Sequence, residues 1–179
     1  MNLLDVLHRR YTPRGYAPRP LPPEVLSTLF EAARWAPSSY NRQPWRFLVA
    51  RQGTEAYAKL LDTMAPANRA WAQTAPVLVL GVAVTEDDRG PNRYAEHDLG
   101  MASGFLTVQA AALGVYPSFM AGFDKARAAA AFALPPQARP MTVIALGYPE
   151  DPNPPAGRSR LPLEAIVFDG AWDVPFGGE

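Results

Sequence analysis

The stretch Pro76-Val77-Leu78-Val79-Leu80-Gly81-Val82-Ala83-Val84 is a nearly continuous apolar run. A strand with one face in water alternates polar and apolar residues. An unbroken run is the mark of a central strand covered on both faces. Working outward, Trp45 to Ala50 and the short Tyr116 to Met120 read as further strands, and Met141 to Leu146 as the last core strand. Helices are expected at Glu55 to Leu61, Tyr94 to Leu113 and Asp124 to Phe132. Upstream, Pro22 and Pro23 open a helix whose apolar positions Val25, Leu26, Leu29, Phe30 and Ala33 recur at helical spacing. It should stop near Ala36-Pro37, because a residue preceding proline resists the helical region. Leu3 to His8 reads as a short first helix with Asn2 as its cap. Strands at uneven intervals, with two helices ahead of them, predict an α+β fold, a mixed α/β sandwich in which helices flank a small central sheet.

Two segments suggest that one copy of the chain is incomplete. Asp98 to Leu113 is apolar nearly all round, with only Asp98, Ser103, Thr107 and Gln109 as polar positions, and Gly100 and Gly104 lie one turn apart. Such a helix is buried either inside one domain or partly against a second subunit. From Asp151 to Glu179 prolines and glycines recur among Leu161, Leu163, Ile166, Val167, Phe168 and Trp172. This tail is either an arm lying on a partner or a partly disordered end.

The remaining composition narrows function. The 179 residues suit one domain, and zero net charge gives no global field toward nucleic acid or membrane. The longest apolar run is too short to span a bilayer. Asp5, His8, Arg9 and Arg10 interrupt any signal-like stretch, so a cytoplasmic protein is expected. With no cysteine, disulfides and thiolate chemistry are excluded. The only lysines are Lys59 and Lys125, the other cations being arginines. Genome composition explains that choice, and so does bidentate recognition of phosphate. No glycine-rich nucleotide fingerprint, phosphate loop or serine nucleophile elbow occurs, and His8 and His97 stand too far apart for a paired metal motif. No metal site is expected.

Three segments carry chemistry: Arg9-Arg10-Tyr11-Thr12-Pro13-Arg14-Gly15-Tyr16, Pro37-Ser38-Ser39-Tyr40-Asn41-Arg42-Gln43-Pro44-Trp45, and Gly157-Arg158-Ser159-Arg160-Leu161-Pro162. Singly, they read as solvated arginines, a turn and a core tryptophan. Together they suit a phosphate held by guanidinium and a heterocycle met by amides and hydroxyls. The stretch from Arg9 to Phe47 closely resembles the start of nitroreductase-family flavoproteins: Arg-Arg-x-x-x-Arg-x-aromatic, a proline-rich helix start, then Ala36 to Trp45 unbroken as Ala-Pro-Ser-Ser-x-Asn-x-Gln-Pro-Trp. Ala75-Pro76-Val77-Leu78, Asp98-x-Gly100-x-Ala102, Gly122-Phe123-Asp124, Gly147-Tyr148-Pro149 and Arg158 to Pro162 are similar to later family segments.

The resemblance implies a nitroreductase-like fold and an intertwined homodimer with FMN at the subunit interface. It implies a single FMN-binding domain over 1–179, with 151–179 as an extended C-terminal arm. By matching position, Arg10, Thr12 and Arg14 would hold FMN, with Arg9 sharing the phosphate end. The spacing leaves the choice between Arg9 and Arg10 open. Pro37, Ser38, Ser39 and Asn41 would come from the other subunit, and Arg158 and Arg160 would grip the phosphate. Met120, Ala121 and Gly122 would line the isoalloxazine edge, the Gly122 N–H near N5, with Asn68 as a further candidate. The implied activity is ping-pong transfer of hydride from NAD(P)H to nitroaromatics, quinones or similar flat acceptors, with Arg14 as a tuning group. Alternatives on the same fold are dehalogenation, azoline oxidation, flavin breakdown and flavin binding without turnover. An arginine-rich domain for another phosphate ligand is the alternative outside the family.

Overall fold

The computed structural model describes residues 3–153 and 155–177. Its centre is a four-stranded antiparallel sheet in the order β1-β2-β6-β5, comprising β1 (Trp45–Arg51), β2 (Val77–Val84), β5 (Tyr116–Met120) and β6 (Ala138–Gly147). The run that opened the reading is an inner strand, and its side chains divide with period two. Val77, Val79 and Ala83 join one core with Ile144 and Leu146, while Leu78, Leu80 and Val82 join another with Val143 and Ala145. Helices α2 (Pro23–Arg34) and α5 (Ala95–Ala112) cover the first face. The second is covered by α3 (Glu55–Asp62), α4 (Pro66–Ala72) and α6 (Lys125–Ala131). The expected mixed sandwich is the fold observed.

Several boundaries differ for local reasons. The first helix, α1, runs Asp5–Arg9 and not from Leu3. Leu4 is extended in ψ, and Asp5 places a carboxylate at the helix start and pairs with Arg9 at 2.6 Å. The proposed Asn2 cap lies outside the described residues. Strand β6 begins at Ala138, three residues before the predicted Met141, because Arg139 and Pro140 pair with Ala83 and Val82 across a bulge. Helix α4 was missed, although Pro66 at its first turn was a usable signal. A two-rung hairpin of β3 (Glu86–Asp87) and β4 (Gly90–Pro91) was also missed. It is too short to leave a pattern.

Helix α5 resolves the question of its own hydrophobicity. Leu99, Ala102, Leu106 and Ala110 face the core against α2 and the sheet. A second stripe of Gly100, Met101, Gly104, Phe105 and Val108 faces outward and lines a groove of about 530 Å³ with Ala32. Phe105 is 42% exposed, and a Cβ on Gly100 or Gly104 would meet nothing within 4 Å. Nothing among the described residues therefore requires glycine at these positions. The C-terminal tail leaves Leu161, Ile166 and Phe176 exposed, and Trp172 is 81% exposed. No helix is long and apolar enough to cross a membrane among the described residues.

Candidate functional site

Residues 10–16 run as an extended stretch along the β5 side of the sheet. Tyr11, Pro13 and Tyr16 are buried, whereas Thr12 and Arg14 are exposed and Arg10 half-buried. The inner residues are firmly seated. The Tyr11 ring packs on Tyr116 at 4.7 Å, and Ser118 Oγ donates to Pro13 O at 2.7 Å. Tyr16 Oη donates to Ala145 O at 2.9 Å. Gly147 is required here because a Cβ would meet Tyr16 Cδ1 at 2.7 Å and Pro76 Cδ at 2.8 Å. This anchoring puts Arg10, Thr12 and Arg14 on one outward side of an extended segment.

The tail meets that side. Arg158 donates to Arg10 O at 2.6 Å and to His8 O at 2.7 Å. Arg10 Nη1 lies 3.4 Å from Thr12 Oγ1. Burial, followed by the neighbouring Arg160 and Arg158 guanidiniums, lowers the pKa of Arg10 from the usual arginine value. Three cations thus approach one another, and none of them is paired with a carboxylate among the described residues. Arg9 is placed differently. It ends α1, pairs with Asp5 and lines a separate cavity with Arg19, Tyr116 and Tyr148.

Further along the same side, the Arg14 guanidinium stacks over Trp71 at 4.8 Å. Trp71 and Asn68 lie three residues apart on α4, so they share a face. Asn68 Nδ2 donates to Gly122 O at 3.1 Å, and Ala65 N–H donates to the same oxygen at 3.0 Å. Beyond Met120, which ends β5, Ala121 and Gly122 are exposed. The Gly122 N–H carries no partner among the described residues. A Cβ on Gly122 would fall 2.7 Å from Asn68 Nδ2, so glycine keeps this backbone close to α4. The side offers cations at one end and a flat edge of backbone and amide at the other.

The segment Pro37, Ser38, Ser39 and Asn41 is elsewhere. It forms a 3₁₀ turn at Ser39–Asn41 ahead of β1 and packs at the start of α5, where Ser39 N–H donates to Asp98 Oδ2 at 3.0 Å. Tyr11, by contrast, clusters with Ala111 near the end of that helix. Thirteen residues of helix separate Asp98 from Ala111, a distance of about 20 Å. One protomer therefore brings together Arg10, Thr12, Arg14, Asn68, Met120, Ala121, Gly122, Arg158 and Arg160, but not the serine loop.

Sequence reasoning overlooked the supports. Arg42 reaches the hairpin, donating through Nε to Asp87 Oδ2 at 2.9 Å and through Nη1 to Pro91 O at 3.0 Å, with further contacts to Asp87 and Gly90 O. That hydrogen bonding holds the Asp87 carboxyl below its usual range. Asp98 is 3% exposed. A carboxylate on the inward, otherwise largely aliphatic face of the helix was the signal that could have found it.

Comparison with known proteins places this arrangement. Residues 7–77 match the model of the nitroreductase family. The chain is similar to an NADH dehydrogenase of Thermus thermophilus, 31% identical, over 89% of this chain and 92% of that one. Among solved structures, an oxidoreductase containing FMN aligns with a TM-score of 0.88 at 28% identity, over 96% of this chain and 93% of that one. A nitroreductase family protein from Streptococcus pneumoniae shares the fold at a TM-score of 0.82 and 20% identity, covering 94% of this chain and all of the other.

Proposed function

Because this chain belongs to the nitroreductase family, we propose that it is a homodimeric, FMN-dependent oxidoreductase that uses NAD(P)H to reduce flat, electron-poor acceptors in the cytoplasm. One observation carries the reading. Arg10, Arg158 and Arg160 converge without a counter-ion among the described residues, on the same open side as Arg14, Asn68 and the exposed Gly122 N–H. The residues present fit FMN: a dianionic phosphate answers the guanidiniums, and a polar ring edge answers the amides. The similar solved oxidoreductase contains FMN. Bound FMN supplies hydride transfer between a nicotinamide and the acceptor.

In this reading Arg10, Arg158 and Arg160 grip the phosphate and Thr12 adds its hydroxyl. Arg9 is engaged by Asp5, so Arg10 takes the phosphate role. Met120, Ala121 and Gly122 would lie along the ring edge. Arg14, braced on Trp71, places a permanent positive charge toward the ring. Pro37, Ser38, Ser39 and Asn41 arrive from the second subunit, because in their own protomer they lie about a helix length away. The outward stripe of α5 provides the contact, its glycines letting a partner backbone approach. In this assembly 151–179 forms the arm of a single FMN-binding domain.

The purified protein should be yellow, with flavin absorbance in the visible. NADH or NADPH and a quinone or nitroaromatic should give parallel double-reciprocal lines, since both occupy one face in turn. Intersecting lines would refute the shared face. Arg14→Ala should retain FMN but slow its reduction by NAD(P)H by roughly ten- to a hundredfold, below the loss typical of a fully enclosed electrostatic group. Reduction at the wild-type rate in a stopped-flow trace removes Arg14 from this role.

A further inference from the structure

The serine loop is held in a costly shape. Tyr40, Asn41 and Gln43 have φ of 51°, 55° and 48°, the left-handed region that side chains with a Cβ seldom adopt. Such a conformation is uphill, less so for asparagine than for tyrosine or glutamine, and persists where the surroundings enforce it. Ties from two sides do so here, and Arg89 Nη1 also donates to Tyr40 O at 3.3 Å. On one side Arg42, its side chain 10% exposed, is tied to Asp87 and to the carbonyls of Gly90 and Pro91. On the other, the buried Asp98 carboxylate accepts the Ser39 N–H at 3.0 Å and contacts His97 Nδ1 at 3.1 Å. A carboxylate withdrawn from water is tolerated only when hydrogen-bonded. Most other inward residues of α5 are aliphatic, and the chain nevertheless spends a buried charge at this point.

We propose that Asp98 is a positioning residue for the flavin-facing loop, fixing the height of Ser39 against helix α5 so that the loop enters the partner's site already shaped. This rests on the composite site described above. It adds a consequence: the loop is referenced to the same helix that carries the outward apolar stripe. Docking two α5 helices therefore also sets how far each loop reaches. Within its own turn the loop is braced by Gln43 N–H donating to Ser38 Oγ at 3.0 Å and by Gln43 Nε2 donating to Asn41 O at 3.1 Å. Those bonds set its curl but tie it to nothing else. Asp98 and Arg42 tie it to the frame.

The test compares wild type, Asp98→Ala and Asp98→Asn by amide hydrogen exchange across residues 38–43 and by fluorescence titration with FMN. In wild type the Ser39 amide should be protected at least about tenfold over a free loop amide. Asp98→Ala should raise its exchange about tenfold and weaken FMN binding by a similar factor, with the exchange of residues 102–110 unchanged. Asp98→Asn keeps an oxygen for the Ser39 N–H and should restore both. An unprotected Ser39 amide in wild type overturns the proposal without any variant. So does Asp98→Ala with unaltered exchange, or Asp98→Asn failing as fully as alanine, which would assign the effect to charge at the helix start. A wild type that binds no FMN would sink the composite flavin site, while the exchange data would still decide the clamp.

Discussion

Replacing Arg158 and Arg160 together with alanine is expected to weaken FMN binding by about 10²- to 10⁴-fold. In the proposed site each guanidinium would contribute a charge-assisted hydrogen bond to phosphate, and each such bond is worth roughly 1.5–3 kcal/mol. The remaining cation, Arg10, then faces the phosphate alone. The two variants differ in kind. Arg158 also donates to the carbonyls of Arg10 and His8, so its loss loosens the start of the extended stretch as well. Among the described residues Arg160 donates only to its neighbour Ser159 O, so Arg160→Ala isolates the phosphate contribution. Fluorescence titration of apoprotein with FMN and with riboflavin separates the two ends of the ligand. The double variant should lose most of its preference for FMN over riboflavin, keeping only the part that Arg10 supplies, whereas riboflavin, which has no phosphate, should bind it about as it binds wild type. A double variant that still favours FMN by the wild-type factor would show that the phosphate rests elsewhere.

The second large effect concerns assembly. Phe105→Glu places a charge in the middle of the outward stripe of α5 without touching the core residues Leu99, Ala102, Leu106 and Ala110. The protomer should keep its fold, since the side chain is already partly in water. Burying two like charges across a symmetric contact, however, costs several kcal/mol. The expected result in sedimentation is a monomer, and flavin absorbance should leave the protein peak with it. Circular dichroism and thermal unfolding report whether the protomer is intact. A folded Phe105→Glu monomer that keeps stoichiometric FMN would mean that the site needs only one chain.

The two layers of this fold were legible because burial on both faces leaves a plain mark. Pro76 to Val84 could only be an inner strand, and the helical spacing of Val25 to Ala33 could only pack on one side. What escaped was structure decided by a few tertiary contacts. The hairpin of Glu86–Pro91 exists because Arg42 ties it down, and no periodicity records a single arginine's reach. Strand β6 gained Arg139 and Pro140 through pairing across a bulge, against their local preference. At the site, the motif residues were found as words in the sequence. Their division between two subunits was implied only by the family resemblance, since spacing alone does not record a path through space. The spacing had left Arg9 and Arg10 undecided. In the structure the two point to different partners because α1 ends at Arg9 and the extended stretch begins one residue later.

The two-chain site is tested most directly by purified heterodimers carrying separately tagged subunits. In one, Arg158→Ala/Arg160→Ala sits on the first subunit and Ser39→Glu on the second. In the other, all three substitutions sit on one subunit beside a wild-type partner. If each pocket draws its arginines from one chain and its loop from the other, the first heterodimer holds about one flavin and the second almost none. The reverse outcome, an empty first heterodimer and a flavin in the second, would place each complete site within a single chain and contradict the account.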